Sequence, residues 1–589
     1  MYYNRNLIAF VPFAFFLLAG CQQRNKTADT AQRTAVLRFE NLSGSPSEDW
    51  QGRALSELLM RRFGGNRLPR AISPSPGIST ERLAAIAAGA DRLIVGYFTY
   101  TAGTMTATAF AEDVATRKLT GPIRATGSVV VVAESLAKQL GGLKPPALDA
   151  DSAALKEYSL ARDTPGPAAL QHYDLALQAD ANFGPAYLGA LQTALGSSDV
   201  PRAEALLASA SAHSSGFSNE DRAYLQLQSA TLARDASARL KALSELAGID
   251  GQDVETLRTL ADSEMSTRQP AEAARHYRQL IANTPLDPNL QNLLAYASLF
   301  AGDEAGARAA AAEYKQLRPQ DPNSFDTQGD IELATGHFAE AEKIYLASPD
   351  GAFQDFSPTW KAAHARLLSG DVAGATGIFE KHKALLAGSA LGAAAVSYRA
   401  ALWQYETGQT DRATRAMAAF ATSAAPAWRA VAYSQAAIWA VVAHDNQQAV
   451  QWSELALRSG QTQVVAYAAV ARFLAQPPTT PDGWTKRAEA TFSGPNGAEV
   501  RRLAVGYALL LAKQMPEASA IWKQIFETTN VNDSGPAYLY GWTLLETGHA
   551  AQAAPLLKLY PIPPPGITPT FEALYLAHRA EWRERTLRQ

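Results

Sequence analysis

A chain of 589 residues with 47% hydrophobic and 19% charged content is too long for one globule and too apolar for disorder; it calls for about four domains of about 150 residues, or one long repeat array. Its 53 lysines and arginines against 56 acids leave a net charge of −3, so no bulk positive field draws a nucleic-acid backbone. The single cysteine, Cys21, excludes an internal disulfide and any cysteine-rich zinc site.

Arg5 precedes an apolar run from Leu7 to Gly20, which is too short for a hydrocarbon core needing about 20 residues and is interrupted by Pro12. This predicts a signal peptide over residues 1–20. The run ends in Leu17-Leu18-Ala19-Gly20-Cys21, which resembles the bacterial lipobox. The resemblance implies that Leu18, Ala19 and Gly20 are read by the signal peptidase and that the Cys21 thiol receives lipid. An uncleaved signal anchor with a chance cysteine is the alternative. Two or more acyl chains hold a protein on a membrane stably where one does not. By resemblance to proteobacterial sorting, Gln22 after the cysteine implies the outer membrane, with the chain facing the periplasm. Residues 21–33 are polar and predict a tether.

Residues 34–142 alternate strand and helix signals. Ala35–Phe39 is a β-prone run ending in the turn cluster Asn41-Leu42-Ser43-Gly44. Ser45, Pro46 and Glu48 stand where an N-cap, a first-turn proline and a capping-box acid belong, predicting a helix from Pro46 to Phe63. A second helix is predicted over Thr80–Ala88, then strands Arg92–Tyr100 and Thr104–Phe110 about a tight turn at Gly103. A short strand near Ile123 and a helix Val131–Leu140 close the unit. The stretch Phe39-Glu40-Asn41-Leu42-Ser43-Gly44, together with Leu93-Ile94-Val95-Gly96 and Asp113-Val114-Ala115-Thr116, resembles the TolB-like domain, which implies an accessory role. Arg38, Ser45 and Gln51-Gly52-Arg53 depart from that family's pattern. A plain α/β cap without a ligand is the competing reading. Lys144-Pro145-Pro146 with Asp149 and Asp151 marks a linker over 143–151.

From 152 to 560 the chain repeats. Ala169, Ala203, Ala238, Ala273, Ala307, Ala341 and Ala375 recur every 34 or 35 residues, and Ala413, Ala449, Ala518 and Ala553 continue the ladder less regularly. Tyr173, Tyr277, Tyr345, Phe379 and Trp522 each lie four residues beyond one of them. Gly302, Gly336 and Gly370 stand 34 apart, where a turn between two helices needs positive φ. This pattern is similar to the tetratricopeptide repeat and predicts a mostly α fold, a right-handed α-solenoid of about a dozen helix hairpins behind the small α/β domain. One degenerate unit is expected near Trp484–Phe492. Residues 561–589 predict a proline-rich turn and a capping helix.

No HExxH, Walker A, GxSxG or calcium-loop motif occurs, so no enzyme, cofactor or metal site is expected. Asp303 and Asp371 are expected as helix N-caps. The resemblance implies that the first helix of each hairpin lines a groove for a protein or peptide partner. Counting back from the turn glycines places Asn289, Asn292, Tyr296, Asn323, Asp326, Asp330 and Lys361 on that surface, then Tyr398, Tyr538 and Trp542. The repeat family's clamp for acidic C-terminal peptides is not supported, because Lys361 is followed four residues later by Ala365. Nine of the ten tryptophans lie from Trp360 onward, as core or as binding platforms. The leading expectation is a non-enzymatic, lipid-anchored envelope scaffold. The alternatives are an outer-membrane glycan-binding lipoprotein and an accessory sensor in envelope signalling.

Overall fold

The computed structural model describes residues 33–63, 78–87, 90–142, 151–251, 253–284, 286–349, 358–388, 392–458, 462–478, 483–493, 497–529 and 534–557, with Phe571, Glu581 and Arg585. The signal peptide with Leu18, Ala19, Gly20 and Cys21, the tether before Arg33, the linker before Asp151 and nearly all of 561–589 lie outside the described residues. Two compact units emerge: residues 33–265 with 272–287, and residues 266–271 with those from 288 onward.

The first unit opens with β1 (Thr34–Val36), β2 (Glu40–Asn41), α1 (Trp50–Met60), α2 (Ile78–Ala87), β3 (Arg92–Thr101), β4 (Thr104–Asp113), β5 (Leu119–Gly127) and α3 (Val129–Leu140). The sheet runs β1-β3-β4-β5, with β2 also on β3; β1 and β2 lie parallel to β3, and β4 and β5 antiparallel. Ala102 and Gly103, both at positive φ, make the two-residue turn that the right-handed strand twist favours. The helix predicted from Pro46 begins instead as a 3-10 turn, Pro46–Glu48, and Ser45 makes no side-chain cap. Phe39 explains two glycines. A Cβ on Gly52 would strike the Phe39 carbonyl, and one on Gly96 would strike its ring, so both helix and strand can close on this buried side chain.

Twelve helix hairpins follow among the described residues: α4 (Ser152–Asp163) with α5 (Ala169–Ala179), α6 (Gly184–Gly196) with α7 (Val200–His213), α8 (Asn219–Leu232) with α9 (Ala236–Ile249), α10 (Val254–Ser266) with α11 (Pro270–Asn283), α12 (Pro288–Phe300) with α13 (Glu304–Leu317), and α14 (Pro322–Ala334) with α15 (Phe338–Leu346). Then come α16 (Pro358–Leu368) with α17 (Val372–Ala387), α18 (Gly392–Glu406) with α19 (Thr410–Ser423), α20 (Pro426–Val442) with α21 (Asn446–Leu457), α22 (Thr462–Leu474) with α23 (Gly483–Thr491), α24 (Gly497–Leu511) with α25 (Met515–Thr528), and α26 (Ser534–Glu546) with α27 (Ala550–Leu557). The fold is mostly α, a tetratricopeptide-type hairpin solenoid behind a small α/β domain. The pair α22/α23 is the degenerate unit.

Among the described residues, ten of the turns share one geometry, a residue at positive φ two places before the second helix begins: Gly302, Gly336, Gly370, Gly408 and Gly548, and Ser198, Arg234, Arg268, His444 and Lys513. Next to it, Asp199, Asp235, Asp303, Asp371 and Asp445 cap the second helix by accepting the N–H three residues on, at 2.8–3.1 Å. The alanine ladder is buried because a small side chain lets paired helices approach closely, with one departure. Ala238 is exposed and Ala242 takes its place in the core, so that hairpin is offset by one helical turn.

In the first unit the apolar core does not stop at residue 142. It runs from Val36 and Leu55 through Leu136 to Leu155, Tyr173, Leu191 and Leu225, because α1 packs on α4. Charged side chains cross the same junction. Arg53 binds Glu81 and holds Asp163 at 2.7 Å; Arg162 meets Glu57 at 3.1 Å; Arg61 pairs bidentately with Asp221 at 3.1 and 3.4 Å, both buried. The segment 143–151 thus separates two kinds of secondary structure that share one core.

Candidate binding surface on the first helices

The first helices of the second unit differ in what they leave accessible. In α12 one stripe is open: Asn289 is exposed, and Asn292, Leu293, Tyr296 and Phe300 are half-buried at the three- and four-residue spacing of one helical face. One period later α14 presents Asn323, Asp326 and Asp330, also half-buried. In α16 residues 359–365 are buried throughout, Lys361 with them.

These residues form one polar network. The Tyr296 hydroxyl donates to Asp330 Oδ2 at 2.9 Å and the Tyr345 hydroxyl to Asp330 Oδ1 at 2.6 Å. Lys361 Nζ donates to Asp330 Oδ1 and Oδ2 at 2.8 and 3.0 Å, and to Asp326 Oδ2 at 2.7 Å. Asp326 Oδ1 is equally near the ammonium, yet it has neither a hydrogen-bond partner nor contact with solvent. Thr327 Oγ1 donates to Asn292 Oδ1 at 2.7 Å, and Asn323 Nδ2 donates to the Tyr314 hydroxyl at 2.9 Å. Of the predicted groove residues, Asn292, Tyr296, Asp326, Asp330 and Lys361 therefore meet along one seam of α12, α14 and α16, with Asn289 and Asn323 at its rim. Tyr345 is one of the ladder aromatics, and its hydroxyl completes the network, a role that spacing does not signal.

Electrostatics at the seam follow from donor counting. Asp330 accepts four hydrogen bonds and Asp326 one. Burial, and then the neighbouring Asp330 charge, push the Asp326 carboxyl up to about 6 against the pull of Lys361. Burial opposes the Lys361 charge, but the two carboxylates outweigh it and raise its pKa. Burial, reinforced by the Asp330 carboxylate, raises both tyrosines well above the ordinary range and keeps them as neutral donors. With two carboxylates to one ammonium, the ionised seam carries a surplus negative charge. Lys361 is occupied by its own carboxylates, so it offers no clamp for an acidic peptide.

The later predicted positions are corrected by burial. Tyr398 and Tyr538 are 1% and 0% exposed, the first against Trp428 and the second donating to the Leu557 carbonyl at 3.2 Å. Ten residues before the turn is the same register as Asp326, but in α18 and α26 that face is covered by neighbouring helices. Trp542 is half-buried. Trp360, Trp403, Trp439, Trp484 and Trp522 are core residues.

A second buried polar cluster was not expected. His364 Nε2 meets Glu406 at 2.7 Å, Arg399 lies over the Trp360 ring at 4.8 Å, and the Trp360 Nε1 and His382 Nδ1 atoms are buried without partners. Burial, and then Arg399 and His364, lower His382 to about 4. Among the described residues no group of His, Cys, Asp and Glu side chains is placed to hold a metal, and no helix is long and apolar enough to cross a membrane.

No protein-family model matches the chain, and no curated protein matches it. Among solved structures it is similar to MamA, at 15% identity over 28% of this chain and 91% of that one with a TM-score of 0.26. A Pseudomonas aeruginosa PilF structure gives 16% identity, 35% and 93% coverage and a TM-score of 0.25. Yeast Tom70 gives 12%, 64% and 92%, with a TM-score of 0.31. These scores are too low to argue from; the fold class rests on the hairpins and turns described above.

Proposed function

We propose that the chain is a lipid-anchored cell-envelope protein that acts by binding a protein partner along the first helices of its hairpins, without catalysis of its own. The observation that carries the binding reading is the stripe of Asn289, Asn292, Tyr296, Asn323, Asp326 and Asp330, polar side chains held in fixed positions on two consecutive first helices. A sugar platform would need open indole faces, whereas five of the later tryptophans are in the core. The anchor reading rests on Leu18-Ala19-Gly20-Cys21 and its likeness to the lipobox, and the periplasmic face of the outer membrane on Gln22. The TolB-like resemblance of residues 34–142 supports an accessory docking or sensing role for the α/β domain.

Two measurements test this. Cys21→Ser should release the protein from the membrane fraction, and retention there would refute the lipid anchor. A photocrosslinking residue at Asn289 should capture a discrete protein in cells, while the same probe at Glu313, exposed on α13, should not. Identical capture from both positions, or none from Asn289, would refute the groove.

A further inference from the structure

The groove face changes chemistry toward the end of the array, and part of it is already filled. In α24 the positions that Asn289, Asn292, Tyr296 and Phe300 hold in α12, counted back from the turn residue, are Val500, Leu503, Tyr507 and Leu511. In α26 the last two of these positions hold Trp542 and Glu546. The stripe of α24 is thus apolar where that of α12 is polar. Phe571, from beyond α27, lies on it: its ring stacks on Tyr507 with centroids 4.1 Å apart and planes at 21°, and it is 3% exposed. Arg585 donates to Glu546 Oε1 at 2.7 Å. One apolar and one ionic contact therefore place residues of the chain's own C-terminal segment on groove positions of two successive first helices. A segment that only closed the end of the array would pack on the last hairpin, α26 and α27. Phe571 reaches α24, one hairpin further back.

The attachment has the build of a reversible one. Between α27 and Phe571 the sequence holds Pro561, Pro563, Pro564, Pro565 and Gly566, residues that break helix continuity. The Arg585 and Glu546 side chains are 37% and 32% exposed, and Arg585 divides its charge with Glu581 at 3.9 Å, so the ion pair is weak and screened by salt. What seats the segment is mainly one aromatic ring in an apolar stripe, supported by a covalent tether that keeps its local concentration on the order of millimolar. Resting on the groove reading above, we propose that Phe571 and Arg585 act as a built-in competitor for the groove of α24 and α26, and that a partner segment taken there brings an aromatic anchor for Tyr507 and a basic side chain for Glu546. While the chain's own residues are seated, only the fraction of molecules with an open groove is competent, and the apparent affinity for a free segment falls by that fraction.

The test uses the full chain and a fluorescein-labelled peptide with the sequence of residues 567–589, read by fluorescence anisotropy. A Phe571→Ala chain should bind this peptide at least tenfold more tightly than the parent, whose own Phe571 competes. In the Phe571→Ala background Glu546→Lys should weaken binding about threefold, and a peptide carrying Arg585→Glu should recover it. A peptide carrying Phe571→Ala should bind neither chain. Far-UV circular dichroism checks the fold of each variant. Equal binding to parent and Phe571→Ala, no binding to a folded Phe571→Ala chain, equal binding of the Phe571→Ala peptide, or no effect of Glu546→Lys each overturns the proposal. If Phe571→Ala does not fold, hydrogen exchange on the parent decides: fragments from 571–585 should exchange at least tenfold faster than those from α24, and equal protection makes these residues a permanent part of the core and overturns the proposal. If Asn289 crosslinks a partner while the peptide binds neither chain, self-occupancy falls and the groove reading stands.

Discussion

Removing Asp221 tests whether the α/β domain and the first hairpins hold each other. The Arg61 and Asp221 side chains are 8% and 2% exposed, and the carboxylate also accepts from Ser218 Oγ at 2.7 Å. Asp221→Ala leaves a guanidinium buried without its counter-charge, which costs about 3–5 kcal/mol. In a unit of this size 1 kcal/mol shifts Tm by about 2–4 °C, so the first unit should melt about 6–20 °C lower. Replacing both partners with apolar residues, as in Arg61→Met with Asp221→Leu, should recover most of the loss, because the penalty lies in the orphaned charge more than in the missing bond. Hydrogen exchange on the full chain reads the effect locally. Peptides from α1 and from α8 should lose protection together, while those from α20 keep theirs. A cost below about 1 kcal/mol, or loss of protection in α8 with α1 unchanged, would refute the shared core.

Three further outcomes follow from particular side chains. Gly329→Ala forces a methyl into the Tyr345 ring and should cost about 1–3 kcal/mol in urea unfolding, whereas Gly377→Ala, with nothing near its Cβ position, should be neutral or stabilising. His382 binds a proton at about pH 4 in the fold and near 6.5 when unfolded, so the unfolded chain holds more protons between these values and stability falls as pH drops from about 6.5 to about 4, by about 3 kcal/mol. His382→Leu should flatten that acid limb, and an unchanged slope would sink the assignment. Asp326 shifts the other way: its raised pKa makes the ionised form unfavourable in the fold, a penalty complete above pH 6 and absent below about 4. Asp326→Asn should therefore stabilise the second unit by about 3 kcal/mol at pH 7.5 and by nothing at pH 3.5, measured by thermal melting.

The period was legible because turn chemistry and helix packing both leave residue-level traces: the glycines at 302, 336 and 370, the capping acids at 303 and 371, and alanines at the helix crossings. The α/β elements were legible from β-branched runs and the turn at Gly103. Register within a first helix was legible only in part. A position ten residues before the turn is Asn292, Asp326, Tyr398 or Tyr538, and its face is fixed by the helix. Whether that face is open depends on how the next hairpin leans on it, which is a tertiary property. It is half-open at Asp326 and closed at Tyr398 and Tyr538. The Tyr345 hydroxyl reaching Asp330, and the continuous core across 143–151, likewise depend on packing between distant segments and leave no spacing to read.

The ten like turns carry a consequence for how such a chain can change. Five of them place Ser, Arg, Arg, His and Lys at a left-handed φ of 55–61°, where a side chain costs about 1–2 kcal/mol relative to the right-handed helix region. The array tolerates this because each hairpin leans mainly on its neighbours, so the strain of one turn is absorbed where it arises. The fold thus prescribes an angle and leaves the letter free. Substitutions can erase the glycine signature one turn at a time while the helices keep their spacing, so the written motif decays faster than the shape it encodes.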